Sequence, residues 1–65
     1  MKRLREYRQD AGLTQEELGN LVGYHQSEIS RIERGEHTIT VDRLLQLADV
    51  LGVKASELLG EREAA

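Results

Sequence analysis

The stretch that most constrains the fold runs from Thr14 to Gly35 and reads TQEELGNLVGYHQSEISRIERG. Its apolar residues recur at helical spacing in two short segments, which Gly23 separates. Thr14 and Glu17 have the spacing of a capping box, in which each side chain accepts a hydrogen bond from the other residue's backbone amide. We therefore predict two short amphipathic helices joined by a tight turn that contains glycine.

The second of these helices has two chemically different faces. On a helical wheel of about 100° per residue, Ile29 and Ile32 fall on one side and predict the stripe that packs on the core. The opposite side carries hydroxyl and guanidinium groups, from Ser27, Ser30, Arg31 and Arg34. A helix that packs with one face and offers hydrogen-bond donors on the other is suited to a groove of duplex DNA.

Two further helices are predicted on either side of this pair. Leu4 and Tyr7 form the apolar stripe of a first helix, and Gly12 is suited to its end. Thr40 is a plausible N-cap for another helix over about residues 41–51. The apolar face of that helix is wider than one stripe, which predicts that it packs on two sides.

A short fifth helix is indicated by Val53, Leu58 and Leu59. We find no strand pattern and no internal repeat. The predicted fold is therefore all-α, a compact bundle of five short helices that forms one domain over residues 1–60. Residues 61–65 are expected to be a frayed tail.

Composition limits how such a domain can be stabilised. The chain has 65 residues and no cysteine, so neither a disulfide nor a cysteine-containing zinc site is available. No apolar run approaches the roughly 18 residues needed to span a bilayer. The N-terminal sequence is too polar for a secretory signal. We expect a soluble, cytoplasmic protein without membrane contact.

The net charge of −3 argues against nucleic-acid binding, because phosphate contacts supply much of the affinity and require Lys or Arg. Affinity also depends on where the charges lie, and acidic residues can occupy a remote face. The charge therefore lowers the expected affinity without excluding this class of protein.

Several short segments match a known pattern when they are taken in order. They are LREYR at 4–8, GLTQEEL at 12–18, ISRIERG at 29–35, LLQLA at 44–48 and LGV at 51–53. Each is weak alone, but their order and spacing together are a strong signal. On these residues the chain, over about positions 2–59, resembles the Cro/cI-type helix-turn-helix (XRE) family. This family comprises the lambda-repressor-like DNA-binding domains of phage repressors and bacterial regulators.

The resemblance implies roles for residues that contact DNA. Gln15 is similar to the family's phosphate-contacting glutamine, and the free amides of a helix N-terminus also favour an anion there. Gln26, Ser27 and Arg31 match positions that reach base edges, where Gln can bond adenine and Arg can bond guanine. Ser30 and Arg34 are expected at phosphates or the groove wall, although Arg34 also points the right way for base reading.

The resemblance also implies an ion pair between helices one and three. Glu33, at the border of the core on the helical wheel, matches a glutamate that pairs with an arginine of helix one, here Arg8. We expect this pair to be partly buried. Removing one partner would then destabilise the fold, because the surviving charge would be left unpaired.

The chain departs from the family pattern at three positions. Glu36 stands in a loop that is often basic, which leaves only His37 and Thr38 as modest donors to phosphate there. His25 replaces the usual Ser or Thr before the third helix and is expected to cap it less well, and to pack on the turn or contact DNA. Gly19 replaces alanine, and we expect close approach of another helix to be the reason.

The sequence offers little support for catalysis or metal binding. His25 and His37 are two isolated histidines with no cysteine nearby, whereas a zinc site normally has four ligands. Glu16 and Glu17 are adjacent on a helix and do not face each other. We predict no enzyme activity, no metal, no cofactor and no small-molecule substrate.

The leading hypothesis is a sequence-specific double-stranded DNA-binding transcriptional regulator, a repressor that binds a palindromic operator as a homodimer. Apolar side chains form the candidate dimer surface, namely Ile39, Leu47, Val50, Leu58 and Leu59. The alternative is a protein-interaction module, antitoxin-like or adaptor, that retains the fold; the negative charge favours it. A third possibility is an excised N-terminal domain of a larger regulator.

Overall fold

The computed structural model describes residues 1–59, apart from the side chain of Lys2. Five α-helices follow one another along the chain: α1 (Lys2–Asp10), α2 (Gln15–Val22), α3 (Gln26–Glu33), α4 (Val41–Leu51) and α5 (Ala55–Leu59). No strand occurs in this part of the chain, which confirms the predicted all-α bundle. The tail predicted for residues 61–65 lies outside the described residues.

The helices begin and end at the residues that local chemistry favours. At the start of α2, Thr14 Oγ1 accepts from the Glu17 amide at 3.0 Å, and Glu17 Oε1 accepts from the Thr14 amide at 2.9 Å. Thr40 Oγ1 accepts from the Arg43 amide at the start of α4. Gly23 ends α2 with a φ of +79°, a left-handed conformation that favours glycine.

The hydrophobic core lies where all five helices meet. Its buried members are aliphatic, namely Leu4, Leu18, Val22, Ile29, Ile32, Leu47, Ala48 and Leu58. Together they leave one broad face of α3 uncovered, because only Ile29 and Ile32 of that helix point inward.

Two of the residues expected at a dimer surface are in the core instead. Leu47 and Leu58 are completely buried, so that part of the prediction is wrong. Leu47 lies beside Ala48 on the inward stripe of α4, and Leu58 is the only buried residue of the short helix α5. The helical pattern marks both residues as apolar but does not say whether they face inward or outward.

Helix α4 packs against α2 and α5, but its wide apolar face is only partly covered. Val41 and Leu45, one turn apart, keep 69% and 53% of their surface exposed. The contacts with both α2 and α5 agree with the expectation that α4 packs on two sides, although neither contact fully covers Val41 and Leu45. None of the helices in the described chain is both long and apolar enough to cross a membrane.

The turn between α2 and α3 comes unusually close to α2. The Tyr24 amide donates to the Gly19 carbonyl oxygen at 2.8 Å. A Cβ atom built on Gly19 would lie 2.4 Å from the Tyr24 carbonyl oxygen. Glycine at this position is therefore explained by close approach, as expected, although the approaching group is the turn backbone and not another helix.

Arg43 attaches the same turn to α4. Its Nη1 donates to the Val22 carbonyl oxygen at the end of α2, at 2.5 Å. Its guanidinium carbon lies 4.7 Å from the centroid of the Tyr24 ring, within the range of a cation–π contact. The α2–α3 unit is thus held against the rest of the domain, which keeps α3 in a defined orientation.

Candidate nucleic-acid interface

The outward face of α3 is open to solvent. Ile29 and Ile32 are buried beneath it. The side chains opposite them form what we call the α3 ridge, consisting of Gln26, Ser27, Ser30, Arg31 and Arg34. All of these residues are exposed except Ser30, which is half-buried. No part of the described chain covers the ridge, so it is available to a partner.

The N-terminus of α3 is better capped than expected from its sequence. His25 Nδ1 accepts a hydrogen bond from the Ser27 amide at 3.1 Å. Glu28 Oε1 accepts from the His25 amide at 2.8 Å, which completes a capping box. Glu28 lies three residues after His25, and that spacing is the signal that the sequence analysis missed. The cap also positions Ser27, whose Oγ lies 2.9 Å from His25 Nδ1.

Gln15 and Gln26 line the same open cleft, between the N-termini of α2 and α3. The cleft has a volume of about 650 Å³ and is also lined by residues of α1 and of the turn between α1 and α2, among them Arg8 and Thr14. Gln15, which was predicted to contact phosphate, also donates from Nε2 to Glu33 Oε1 at 3.0 Å. The structure therefore places two of the predicted contact residues on one cleft, and it ties Gln15 to Glu33 of α3.

Arg8 and Glu33 lie together, as the family resemblance implies. Arg8 Nε donates to Glu33 Oε2 at 2.5 Å, and Nη2 donates to Oε1 at 3.3 Å. Arg8 Nη1 also donates to the Leu13 carbonyl oxygen at 2.8 Å. The two side chains are only 10% and 4% exposed, so the pair is more deeply buried than expected.

Arg34, at the far end of the ridge, is held by two neighbours. Its Nη1 donates to Ser30 Oγ at 2.5 Å, and its Nη2 donates to Glu36 Oε1 at 3.2 Å. The hydrogen bond from Arg34 and its positive charge, together with the charge of Arg31, hold the pKa of Glu36 below its ordinary value. The acidic residue that departs from the family pattern is thus paired with a cation of the ridge.

Arg31 and Arg5 are the cations of this surface that remain available. Both are exposed, and within residues 1–59 neither has an ion pair or a side-chain hydrogen bond. Sequence reasoning identified Arg31 but did not single out Arg5. The helical wheel of α3 cannot identify a residue of α1, because only the tertiary fold brings α1 and α3 together.

Comparison with known proteins identifies the same kind of domain. The helix-turn-helix family model matches residues 4–58 of the chain. An uncharacterized HTH-type transcriptional regulator, y4dJ of Sinorhizobium fredii, is 44% identical over 52 residues, which cover 80% of this chain and 68% of that protein. The control protein C.SmaI of Serratia marcescens is 36% identical over 56 residues, which cover 86% of this chain and 67% of that protein.

A solved structure has the same arrangement of helices. The crystal structure of the restriction-modification controller protein C.AhdI from Aeromonas hydrophila superposes with a TM-score of 0.81 at 38% sequence identity. The match covers 88% of this chain and 86% of that one. The five-helix fold is therefore shared nearly from end to end.

Proposed function

The chain belongs to the helix-turn-helix family of DNA-binding transcriptional regulators, and we propose that it represses transcription by binding one specific operator sequence. In this proposal α3 enters the major groove of double-stranded DNA and α2 lies across the backbone. The resemblance to lambda-repressor-like domains supports repression as the outcome of binding.

The observation that carries the proposal is the exposure of the α3 ridge above two buried isoleucines. A helix anchored on one side and polar on the other can present side chains to base edges without disturbing the core. We assign base contacts to Gln26, Ser27 and Arg31, because Gln can pair with adenine and Arg with guanine. His25, which caps α3, lies beside them.

Phosphate contacts are assigned to residues at the borders of the ridge. Gln15 lies at the N-terminus of α2, where unpaired amides favour an anion. Ser30 is the half-buried member of the ridge, between Ser27 and Arg31 in the sequence, and Arg34 is the C-cap residue of α3.

The negative charge is not confined to a remote face, because acidic residues lie on α4 and α5 but also on α2 and α3, namely Glu16, Glu17, Glu28 and Glu33. The proposal therefore relies on the local cations Arg31 and Arg34, while Glu33 is neutralised by Arg8.

We further propose that the protein binds a palindromic operator as a homodimer. One copy measures 33 Å in its longest dimension and carries a single recognition helix. Two half-sites about 34 Å apart therefore require two copies. Ile39 and Leu59, together with Ile32 and Met1, line an apolar groove of about 340 Å³, which we propose as the contact between copies.

The position of the groove can be tested by sedimentation equilibrium. L59K should shift the dimer toward monomer, because a charge would be placed in the apolar contact. L45K changes a leucine of similar exposure on α4 and is the matched control. If L45K dissociates the dimer and L59K does not, the contact lies on α4.

We propose that the protein binds DNA in the cytoplasm and catalyses no reaction. Selection from a random duplex library tests it most directly. We expect one enriched motif with two-fold symmetry and half-sites one helical turn apart. If no duplex is bound even at low salt, the protein is not a DNA-binding regulator and the protein-interaction alternative is favoured.

A further inference from the structure

The basic surface beside the α3 ridge extends onto α1. One concavity of about 260 Å³ is lined by residues of α1, α2 and α3, namely Arg5, Arg8, Gln15, Ser30, Glu33 and Arg34. Arg5 is exposed and lies one turn before the buried Arg8 on the same helix. Because Arg8 is tied to Glu33, the position of Arg5 relative to α3 is determined by the fold.

The charges in this concavity do not cancel. Arg8 is neutralised by Glu33, and Arg34 is paired with Glu36. Within residues 1–59, Arg5 has no acidic partner and no side-chain hydrogen bond. The concavity therefore carries one uncompensated positive charge, on a guanidinium that can bind two oxygens of one anion.

Ser30 supplies a second donor. Its Oγ accepts a hydrogen bond from Arg34 Nη1, so its own hydroxyl proton is available to a ligand. Arg34 is an adjustable third donor, because its bond to the exposed Glu36 is a surface ion pair, which is weak in water. An anion that enters the concavity would compete with Glu36 for Arg34.

We propose that this concavity binds one phosphate of the DNA backbone, outside the base pairs that α3 reads, with Arg5 as the main ligand. This inference rests on the proposed function. It makes α1 part of the DNA contact surface, in addition to its structural role through Arg8. Because a phosphate carries no sequence information, the contact contributes affinity and register but not base preference.

The salt dependence of DNA binding tests this assignment. R5Q removes the proposed contact, and K54Q is the matched control, because it removes an equal charge from an exposed site before α5. The slope of log K against log salt should fall by about 0.9 in R5Q and remain unchanged in K54Q. The loss of affinity in R5Q should thus be roughly three- to fourfold larger at 50 mM than at 200 mM salt.

One further variant and one set of modified duplexes distinguish a phosphate contact from a loss of structure. R5K keeps the charge and should restore the slope. Duplexes with one neutral methylphosphonate linkage, placed in turn at each backbone position, should identify one position per half-site that weakens the wild-type protein but not R5Q. Base preference should be the same in all variants.

The outcomes separate this inference from the function on which it rests. If the wild-type protein binds no duplex, the proposed function fails. If the wild-type protein binds DNA, either of two results overturns the phosphate site and leaves α1 with a structural role only. In the first, R5Q and K54Q have the same salt slope. In the second, every methylphosphonate position that weakens the wild-type protein also weakens R5Q.

Discussion

Arg8 of α1 and Glu33 at the end of α3 form a buried ion pair, with Arg8 Nε 2.5 Å from Glu33 Oε2. The same carboxylate accepts from Gln15 at the start of α2, and Arg8 also donates to the Leu13 carbonyl oxygen. One carboxylate thus connects three helices. No buried side-chain nitrogen or oxygen in the described residues lacks a partner, so the charges are fully hydrogen-bonded.

Replacing one member of this pair should destabilise the fold. In E33Q the buried guanidinium of Arg8 loses its counter-charge, and we expect the free energy of unfolding to fall by about 3–5 kcal/mol. Urea denaturation followed by circular dichroism measures it. The double variant R8M/E33L should lose less than E33Q, because it leaves no unpaired charge. A loss below about 0.5 kcal/mol in E33Q would show that the charge is solvated.

A methyl group on Gly19 should destabilise the α2–α3 turn. The Cβ would lie 2.4 Å from the Tyr24 carbonyl oxygen, and overpacking of this kind costs about 1–3 kcal/mol. The higher helix propensity of alanine offsets about 1 kcal/mol of this cost, so we expect the free energy of unfolding of G19A to fall by about 1 kcal/mol. N20A, at an exposed position of the same helix, is the control and should be slightly stabilised. Equal stabilisation of both variants would contradict the close approach.

Base-reading and phosphate-contacting residues of the ridge should give different phenotypes. Q26A and R31A should each lose about 1–3 kcal/mol of discrimination at one base position and relax the preference there. R34A should instead weaken binding to all sequences. Binding to a panel of single-base operator variants distinguishes the two. Wild-type base preference in Q26A and R31A would refute their assignment.

Neutralising Glu36 should strengthen DNA binding. In E36Q, Arg34 no longer has an acidic partner and a negative charge is removed from beside the proposed phosphate contacts. We expect roughly two- to fivefold tighter binding at low salt, which corresponds to the free-energy contribution of one exposed ion pair. E57Q changes the net charge equally on α5 and should have no effect. Equal gains in both variants would indicate a general charge effect.

The ion pair between Arg34 and Glu36 has a defined dependence on pH. The pKa of Glu36 is lowered chiefly by its hydrogen bond to Arg34. A lowered pKa in the folded state means that the pairing stabilises the fold above the unfolded pKa and is lost as pH falls through the folded value. NMR titration of the Glu36 carboxyl carbon should therefore show a higher pKa in R34Q than in the wild type. An unchanged pKa would mean that Arg34 does not hold the carboxylate.

The sequence predicted the elements of this fold well, because their boundaries depend on local chemistry. The capping box at Thr14 and Glu17, the N-cap at Thr40 and the glycine after α2 each act within a few residues. The inward stripe of Ile29 and Ile32 follows from helical geometry alone. The contacts of the ridge with bases and phosphates stay predictions, since they require the DNA.

The number of helices, their approximate limits and the polar face of α3 follow from local sequence, because capping and helical periodicity act over three or four residues. Tertiary structure alone decided that Leu47 and Leu58 are core and that Val41 and Leu45 are exposed. It also brought Gln15 to Glu33 and Arg5 to Ser30. These relationships join residues far apart in the chain, so the packing of whole helices sets them.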